Sequence, residues 1–527
     1  MRKGSMTVFF SLSLPLILIL LFTLIESARY TGIRAASHAA GNNAIDSLFA
    51  EYNRTLLDEY GLMFYNGAPE GGFVDFDRIE ADFLTYFRRN TADLKLLFGG
   101  SFLESYPLGV TVTEAVTATD YNGEIFIRSV LDFYKYDLAG EALETLKSAL
   151  GLIQESGDLK EGADKDTDRL QSTDWGQVSM NDGGMIPAHV ERIYDIEPMP
   201  SPGPPVPPSG PEPEGPVEEP PPPIDDKALK DDLNNSAIGS MERSKASGWL
   251  NLVLPANTSV SAYEMDQDDA PSLAAVDQRK LTENRSIITD LAEGAGFYEY
   301  ILTHFSNYGK KLHESGMQYE IEYVLFGNAS DVKNFETALN RIMWIREGMN
   351  LLYLVTSENR TLANSLAEAM VGWTGNELIV MLTATALMAA WAYAESILDV
   401  RALLQNKRVA FMKDEETWVL SLEGIGNLLA GGGGAAKESE HGMKYQDYLR
   451  ILLYLSDVSR SSYRTMDLIQ DRLRMRQPSF LMASEIYALE VRMNVGAREL
   501  FTALPLVRKE APHVLFYVFE ETFSEVY

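Results

Sequence analysis

The chain has 527 residues, of which 46% are hydrophobic and 10% aromatic, so most of it can bury a core, and its length indicates about two to four domains. Its 76 acidic and 45 basic residues leave a formal net charge of −31, which disfavours nucleic-acid binding and attachment to anionic lipid by charge. The absence of cysteine excludes disulfides, thiolate nucleophiles and cysteine-ligated metal sites.

The first predicted element is an apolar helix near the N-terminus. No charged residue occurs from Gly4 to Ile25, and these 22 residues would extend about 33 Å as a helix, enough to cross a bilayer. Two basic residues, Arg2 and Lys3, precede the helix, so the positive-inside rule places the short N-terminus in the cytoplasm. We therefore predict a cytoplasmic stub and transmembrane helix over residues 1–27, with lipid contact through residues 5–25, and an extracellular location for the bulk of the chain.

The residues after this helix favour a retained anchor over a cleaved signal peptide. Charged residues Glu26, Arg29 and Arg34 stand where a signal cleavage site needs small neutral residues. A removed signal, cut near the small residues around Ser37, is the alternative. Apolar residues spaced as on one helix face continue from Ile45 to Leu57, so the spanning helix is expected to run on into an amphipathic helix. It would end near Tyr60 and Gly61, with a break at Gly32, Gly41 or Asn42-Asn43 as the alternative.

The N-terminal residues carry a resemblance. A short basic start, then Gly4-Ser5, then the run TVFFSLSLPL with a central proline, resembles the N-termini of TadE/TadG-like pseudopilins of Tad-type pilus systems. The resemblance implies that a prepilin peptidase cuts between Gly4 and Ser5, leaving the hydrophobic helix on the mature protein. Phe9 occupies the fifth mature position, where pilins usually carry glutamate.

The rest of the chain is similar to an uncharacterised family of Gram-positive, membrane-anchored proteins. Members of that family tend to accompany Tad-type assembly genes and have no assigned activity, so the resemblance implies a domain of unknown function. The similarity rests on four stretches: Ala50 to Leu62, Tyr319 to Gly327, Trp391 to Leu404 and Lys444 to Leu453.

A proline-rich stretch divides the extracellular part. Between Pro198 and Pro223 lie 14 of the 23 prolines, which favour extended, solvated backbone. We predict a first extracellular α+β region over 28–196, a spacer over 197–226 and a second, helix-rich α+β region over 227–527. An insertion between two halves of one structure is favoured over a wall-spanning rod or a ligand for a proline-recognition domain.

Hydrophobic periodicity predicts a helix-rich α+β fold with a few mainly antiparallel strands. Helices are predicted over 125–136, 141–154, 226–250, 287–312, 330–356, 360–371, 376–404 and 443–476. Strands are predicted at Val110–Thr117, Tyr319–Phe326, Ala483–Val495 and His513–Phe523.

One later segment raises the question of a second membrane span. Residues 378–394 carry no charge, yet the run is short for a bilayer, rich in Ala and Thr, and bracketed by Glu377 and Glu395. A buried core helix is therefore favoured, with a second span as the alternative.

The sequence contains no recognisable catalytic motif. Asp164, Asp166 and Asp168 have the opening rhythm of an EF-hand loop, but Arg169 replaces its glycine, so a solvated acidic loop is predicted. Glu320 and Glu322 are expected on the exposed face of a strand, and no cofactor or metal site is predicted.

These observations lead to an expected function. The chain is expected to be a non-enzymatic, single-pass structural or assembly component of a Tad-type pilus or secretion system, with other assembly proteins as partners. The small residues of 35–41 would let the anchoring helix approach another helix closely. The alternatives are a surface enzyme such as a wall-glycan hydrolase, whose cleft would hold two carboxylates, and an extracellular sensor or adhesin.

Overall fold

In a computed structural model of the chain, the described residues are 3–91, 103–133, 140–174, 224–254, 259–274, 287–313, 316–499 and 516–527. The helices are α1 (Lys3–Phe49), α2 (Arg54–Tyr60), α3 (Phe76–Thr91), α4 (Glu124–Phe133), α5 (Gly140–Ser172), α6 (Asp226–Asn234), α7 (Ala237–Ser247), α8 (Leu250–Val253), α9 (Ile287–His304), α10 (Glu320–Phe326), α11 (Asp331–Thr356), α12 (Asn359–Val371), α13 (Glu377–Leu404), α14 (Ile425–Leu429), α15 (Tyr445–Tyr454) and α16 (Val458–Arg474).

Within the described residues the strands are few and form one antiparallel sheet. Long β3 (Glu485–Arg498) is central, with β2 (Tyr106–Thr117) along one edge. The other edge of β3 pairs with β4 (Phe516–Val526) and, at its start, with the two-residue β1 (Tyr65–Asn66). Helices with a small antiparallel sheet confirm the predicted helix-rich α+β class.

The chain forms two compact units, and each takes residues from both sides of the proline-rich stretch. Unit 1 consists of Met1–Asp137, Met265–His304 and Ser456–Tyr527, and unit 2 of Leu138–Glu264 and Phe305–Leu455. The stretch itself, Pro198 to Pro223, lies outside the described residues.

The core of unit 1 lies between its sheet and helices α1 and α3. Alternate residues of β3 are buried, as expected for a strand with one covered face. The outward residues between them include exposed Arg492 and Asn494. The core side chains come from α1 (Ile33, Ala40, Ala44, Leu48), α3 (Ile79, Phe83, Phe87), β3 (Leu489, Val491, Met493, Val495) and β4 (Phe519, Phe523).

The N-terminal helix does not break at the glycines where the sequence allowed a break. Gly32 and Gly41 both lie inside α1, which ends at Phe49, and the interruption falls at residues 50–53. Asn53 then caps α2 by accepting from two of its backbone N–H groups, and Gly61 ends α2 in the left-handed region at φ 68°. The predicted end at Tyr60 and Gly61 is confirmed, although the apolar residues from Ile45 to Leu57 are divided between two helices, α1 and α2.

Unit 2 is built around α13, which packs against α5, α11 and α12. The described residues include two helices long and apolar enough to span a membrane, α1 and α13. In α1 none of the most apolar window is buried, whereas 72% of the corresponding window of α13 is buried in the protein. Burial by neighbouring helices agrees with the predicted core helix at 378–394.

The strand predicted at Tyr319–Phe326 is wrong, because Glu320–Phe326 forms helix α10. Five consecutive residues from Glu320 to Val324 are buried, so burial does not alternate along this segment. Asp331 accepts hydrogen bonds from the backbone N–H groups of Gln318 and Tyr319, each at 2.9 Å, and holds the N-terminal end of the helix. A contact with a residue 12 positions away therefore overrides the local alternation.

The acidic loop predicted around Asp164 is also wrong, because the segment belongs to the long helix α5. Residues at i, i+2 and i+4 spread over about 200° of a helix, so the three carboxylates cannot converge as in a calcium loop. Asp164 pairs with Lys160 at 2.6 Å, Asp166 is buried and Asp168 is exposed. Among the residues the structure describes, no group of three His, Asp or Glu could hold a metal ion.

Candidate functional site: the anchoring helix and its seat

The N-terminal half of α1 presents an apolar surface on every side. Every large apolar side chain from Met6 to Leu24 is exposed, by between 39% at Phe22 and 70% at Leu16. Pro15 lies within this part of the helix, as membrane helices tolerate. A continuous exposed apolar surface of this length needs lipid or other apolar helices around it.

A buried ion pair marks the point where α1 leaves this apolar surface. Glu26 and Arg29 are both buried, with Arg29 Nη1 2.8 Å from Glu26 Oε1. The same Nη1 donates to the backbone oxygen of Arg498, the last residue of β3, at 2.6 Å. The charges that argued against a signal cleavage site therefore tie the helix to the sheet.

The second half of α1 lies on the sheet and α3 through small residues. Gly41 faces the ring of Phe523 so closely that a Cβ at Gly41 would lie 2.1 Å from Phe523 Cζ. Ser37 and Ala40 are buried on the same side, whereas Ala35 and Ala39 are exposed. The buried small residues of 35–41 thus face the protein's own sheet, which the sequence alone did not indicate.

We call the surface on which the second half of α1 packs, through Ser37, Ala40 and Gly41, the seat of α1. A polar contact borders this seat. Glu521 of β4 accepts from Arg34 Nε at 2.7 Å and lies 3.3 Å from His38 Nδ1. Both partners on α1 are more than half exposed, so the pair contributes little stability, about 0 to 1 kcal/mol.

Gly41 offers a direct test of the seat. We expect Gly41→Ala to destabilise the protein by about 1 to 3 kcal/mol, because the new methyl group displaces Phe523 from a packed core. Gly32→Ala is the matched control: its Cβ would lie 3.1 Å from the flexible end of Leu103, and alanine favours the helix by about 1 kcal/mol. Denaturant unfolding of the full chain in detergent measures both, and equal effects at the two positions would contradict the seat.

The residues of the implied processing site lie at the start of α1. Gly4 and Ser5 belong to its first turns, and Phe9, at the position where pilins usually carry glutamate, is 67% exposed. The cleavage itself stays a prediction.

The carboxylates expected on a strand face, Glu320 and Glu322, are buried in unit 2, so that prediction is wrong. Glu320 Oε2 accepts from the backbone N–H of Ser306 at 2.6 Å. Glu322 Oε1 accepts from the N–H of Tyr308 at 3.1 Å and from the hydroxyl of Tyr445 at 2.8 Å. Burial raises the pKa of Glu322 to about 7, although these hydrogen bonds lower it. With no solvent access, the two groups hold the 306–308 turn and do not form an open site.

Unit 2 also contains an open cleft of about 600 Å³ beside the start of α13. Glu368 and Glu377 line it together with the amides Asn364 and Asn376. The Asn376 side chain accepts from the N–H groups of Leu378 and Ile379, which makes it the cap of α13. The cleft thus brings two carboxylates and amide groups to one solvent-accessible place.

Sequence reasoning missed the groups that join distant parts of the chain. Arg29 and Arg498 are 469 positions apart, and nothing local marks either residue as a tether. A weak signal existed, since Glu26 and Arg29 are spaced i, i+3 on the predicted helix and can pair there.

Comparison with known proteins gives one match. The sequence profile of a family of unknown function, DUF5702, matches residues 227–497, just over half of the chain. No curated protein and no solved structure matches. The match agrees with the predicted domain of unknown function and lies outside the N-terminal segment that carries the pseudopilin resemblance.

Proposed function

The chain belongs to DUF5702, a family of unknown function, and from its own structure we propose a structural or assembly component held in the cell membrane by one helix. It would resemble the TadE/TadG-like pseudopilins of a Tad-type pilus or secretion system. Its short N-terminus would lie in the cytoplasm and both units outside the cell.

The observation that carries the proposal is the division of α1 into an exposed apolar half and a half seated on the sheet. Met6 to Leu24 is exposed on every side, while Ile33, Ala44 and Leu48 belong to the core of unit 1. Because the helix is continuous from Lys3 to Phe49, force on the membrane segment is passed directly to the folded unit. This division suits a subunit that is moved or held through its helix.

N-terminal sequencing of the protein recovered from membranes tests anchorage and processing together. With a prepilin peptidase present, we expect the chain to start at Ser5, and Gly4→Leu to leave it uncut. Ser11→Leu, an equally bulky change farther along the helix, is the control and should be processed normally. A start near Ser37 would contradict the retained anchor, and an uncut chain in every variant would contradict processing alone.

Partner capture tests the assembly role. Tagged full-length protein, solubilised from cells that build the pilus, should bring down other Tad-type assembly proteins. The Gly41→Ala variant, with its helix seat disturbed, should recover less of them. A monomer without partners, dispensable for pilus formation, would contradict the role.

The cleft at α13 favours a second candidate, a wall-glycan hydrolase, because such enzymes need two carboxylates beside an open sugar site. The test is release of reducing sugar from purified cell walls by the full chain. Activity lost in both Glu368→Gln and Glu377→Gln would support it, with exposed Glu415→Gln as the control. No release of reducing sugar by the full chain would exclude the hydrolase.

A further inference from the structure

One end of the sheet in unit 1 lies beside the point where α1 leaves its exposed apolar half. Strand β4 follows α1 in register: Tyr517 packs on Tyr30, Phe523 lies at Gly41, and Tyr527 packs on Phe49. Near the end of β3, Gly496 pairs with Tyr106 of β2 and Ala497 pairs with Tyr517 of β4. The end of β3, the start of β2 and the start of β4 therefore share one level along α1.

From this geometry we infer that this end of the sheet rests in the headgroup layer of the bilayer, as a second membrane contact beside the spanning helix. We call it the rim: Tyr30, Tyr106, Leu108, Arg498, Tyr517 and Val518. The inference rests on the anchor proposed above and adds to it a fixed orientation of unit 1 on the membrane.

Distance along α1 places the rim at the right depth. The apolar run ends at Ile25, and Tyr30 lies five residues farther, about 8 Å along the helix. The interfacial layer on each side of a bilayer is about 5 to 8 Å thick. A rim fixed at the level of Tyr30 thus meets the headgroups when the apolar run fills the hydrocarbon core.

The chemistry of the rim suits that layer. The rings of Tyr30 and Tyr517 lie 4.9 Å apart beside α1, and Arg498 lies over the ring of Tyr106 at 5.3 Å. Tyrosine rings with a polar tip, and arginine beside them, are enriched where membrane proteins cross the interface. Glu104 lies beside Tyr106 and Glu499 follows Arg498, so acidic groups share this end of the sheet and the contact does not depend on anionic lipid.

Two exposed apolar side chains complete the rim on the outer face of the sheet. Leu108 is 56% exposed and lies over Gly496 of β3, and Val518, the partner of Gly496 on β4, is 58% exposed. A Cβ at Gly496 would lie 3.0 Å from Leu108 Cδ1, so the glycine lets Leu108 lie across the strand. Exposed apolar groups at this position gain contact with the upper acyl chains.

The tether from Arg29 keeps the rim at this level. Arg29 is buried, bonded to Glu26 on its own helix and to the backbone oxygen of Arg498. Moving the rim away from the membrane without α1 would break the hydrogen bond from Arg29 to Arg498. The buried guanidinium of Arg29 would then lose one of its acceptors. The spanning helix and the rim therefore move as one body.

The absence of cysteine makes the test direct. Single cysteines at Leu108→Cys and Val526→Cys, in otherwise unchanged full-length protein, carry a nitroxide label in liposomes of zwitterionic phosphatidylcholine. Val526 is the matched control, because it is 55% exposed on the same sheet at its opposite end. Accessibility to oxygen, which partitions into lipid, is compared with accessibility to a water-soluble nickel complex.

We expect the oxygen-to-nickel accessibility ratio to be several-fold higher at position 108 than at 526, and unchanged when anionic lipid is added. Equal, water-like ratios at both positions would overturn the inference. Dipolar broadening at 108 without lipid access would also overturn it, since it would show a second copy on this face.

A third label separates this inference from the anchor. Leu16→Cys should lie deep in lipid whether or not the rim touches the membrane, so a water-like label at 16 would reject the proposed anchor itself. Val518→Cys repeats the rim measurement if the label at 108 disturbs the fold, which circular dichroism reports.

Discussion

Replacing Arg346 with leucine should destabilise unit 2 by about 3 to 5 kcal/mol, among the largest effects expected of a single substitution. The guanidinium is fully buried and donates to Asp399 Oδ2 through Nε at 2.9 Å and through Nη2 at 2.8 Å. It also donates to the side chains of Asn350 and Tyr448 and to the backbone oxygens of Ala410 and Phe411. Removal takes this donor away from the backbone oxygens of Ala410 and Phe411, and it leaves buried Asp399 with only one of its two cationic partners, Lys413.

Asp399 determines how this effect depends on pH. Burial raises the pKa of Asp399, but the charges of Arg346 and Lys413 outweigh it and hold that pKa below its usual range. A carboxyl with a lowered pKa stabilises the fold above its unfolded pKa and loses that contribution as the pH falls through the folded value. The cost of Arg346→Leu should therefore shrink in acid, where Asp399 becomes protonated.

Urea unfolding of the full chain in detergent measures this prediction. The matched control is Lys165→Leu, which removes an exposed ion pair with Glu161 at 2.7 Å and should change stability by less than about 1 kcal/mol. Arg346→Leu combined with Asp399→Leu should cost less than the sum of the single changes, because the interaction between the two side chains is lost only once. Similar losses for Arg346 and Lys165 would contradict the buried network.

The second large effect concerns Glu485, whose replacement by glutamine should remove a fall in stability between about pH 5 and pH 8. Glu485 is fully buried in unit 1, where Asn53 Nδ2 donates to its Oε1 at 3.1 Å. Its Oε2 is buried without a hydrogen-bond partner among the described residues. Burial raises the pKa of Glu485 from 4.5 to about 8, with a smaller opposite effect from Asn53.

The direction in which stability changes with pH follows from proton linkage. Between pH 4.5 and 8 the folded chain keeps a proton on Glu485 that the unfolded chain releases. The free energy of unfolding therefore falls by about 1.4 kcal/mol per pH unit as the pH rises through this window. Glutamine keeps the acceptor for Asn53 and carries no titratable proton, so Glu485→Gln should match the parent near pH 5 and exceed it near pH 8.

Unfolding curves at several pH values compare the parent with this variant. Glu520→Gln, at an exposed side chain of β4, is the control and should leave the shape of the pH profile of stability unchanged. A parallel course for Glu485→Gln as well would show that Glu485 is ionised in the folded protein and that the prediction is wrong.

The local sequence pattern was enough to predict the long strands, because their own residues alternate or are β-branched. Strands β2, β3 and β4 fall where Val110–Thr117, Ala483–Val495 and the described part of His513–Phe523 predicted them. These are long segments with alternating or β-branched residues, in which each residue repeats the same signal. The prediction failed in the shorter alternating segment Tyr319–Phe326, where Asp331 and Gly327 set the ends of a helix, α10.

The candidate site likewise has one part that the sequence predicts and one part that it does not. The apolar run from Gly4 to Ile25 could be recognised at once, because length and lack of charge are properties of contiguous residues. The seat of α1 could not, because its partners Phe523 and Arg498 lie more than 400 positions away. Ala35 and Ala40 look alike in the sequence, yet only one of them faces the sheet.

The sequence by itself determined where an apolar run long enough to span a membrane begins and ends, how acidic the chain is, and that its fold mixes many helices with a few strands. Only the tertiary structure decided which carboxylates are buried, that α13 is a core helix, and that α1 is fastened to β3 through Arg29. The physical reason is that hydrophobicity and charge are summed along the chain, whereas desolvation and hydrogen bonding depend on neighbours that folding brings from far away.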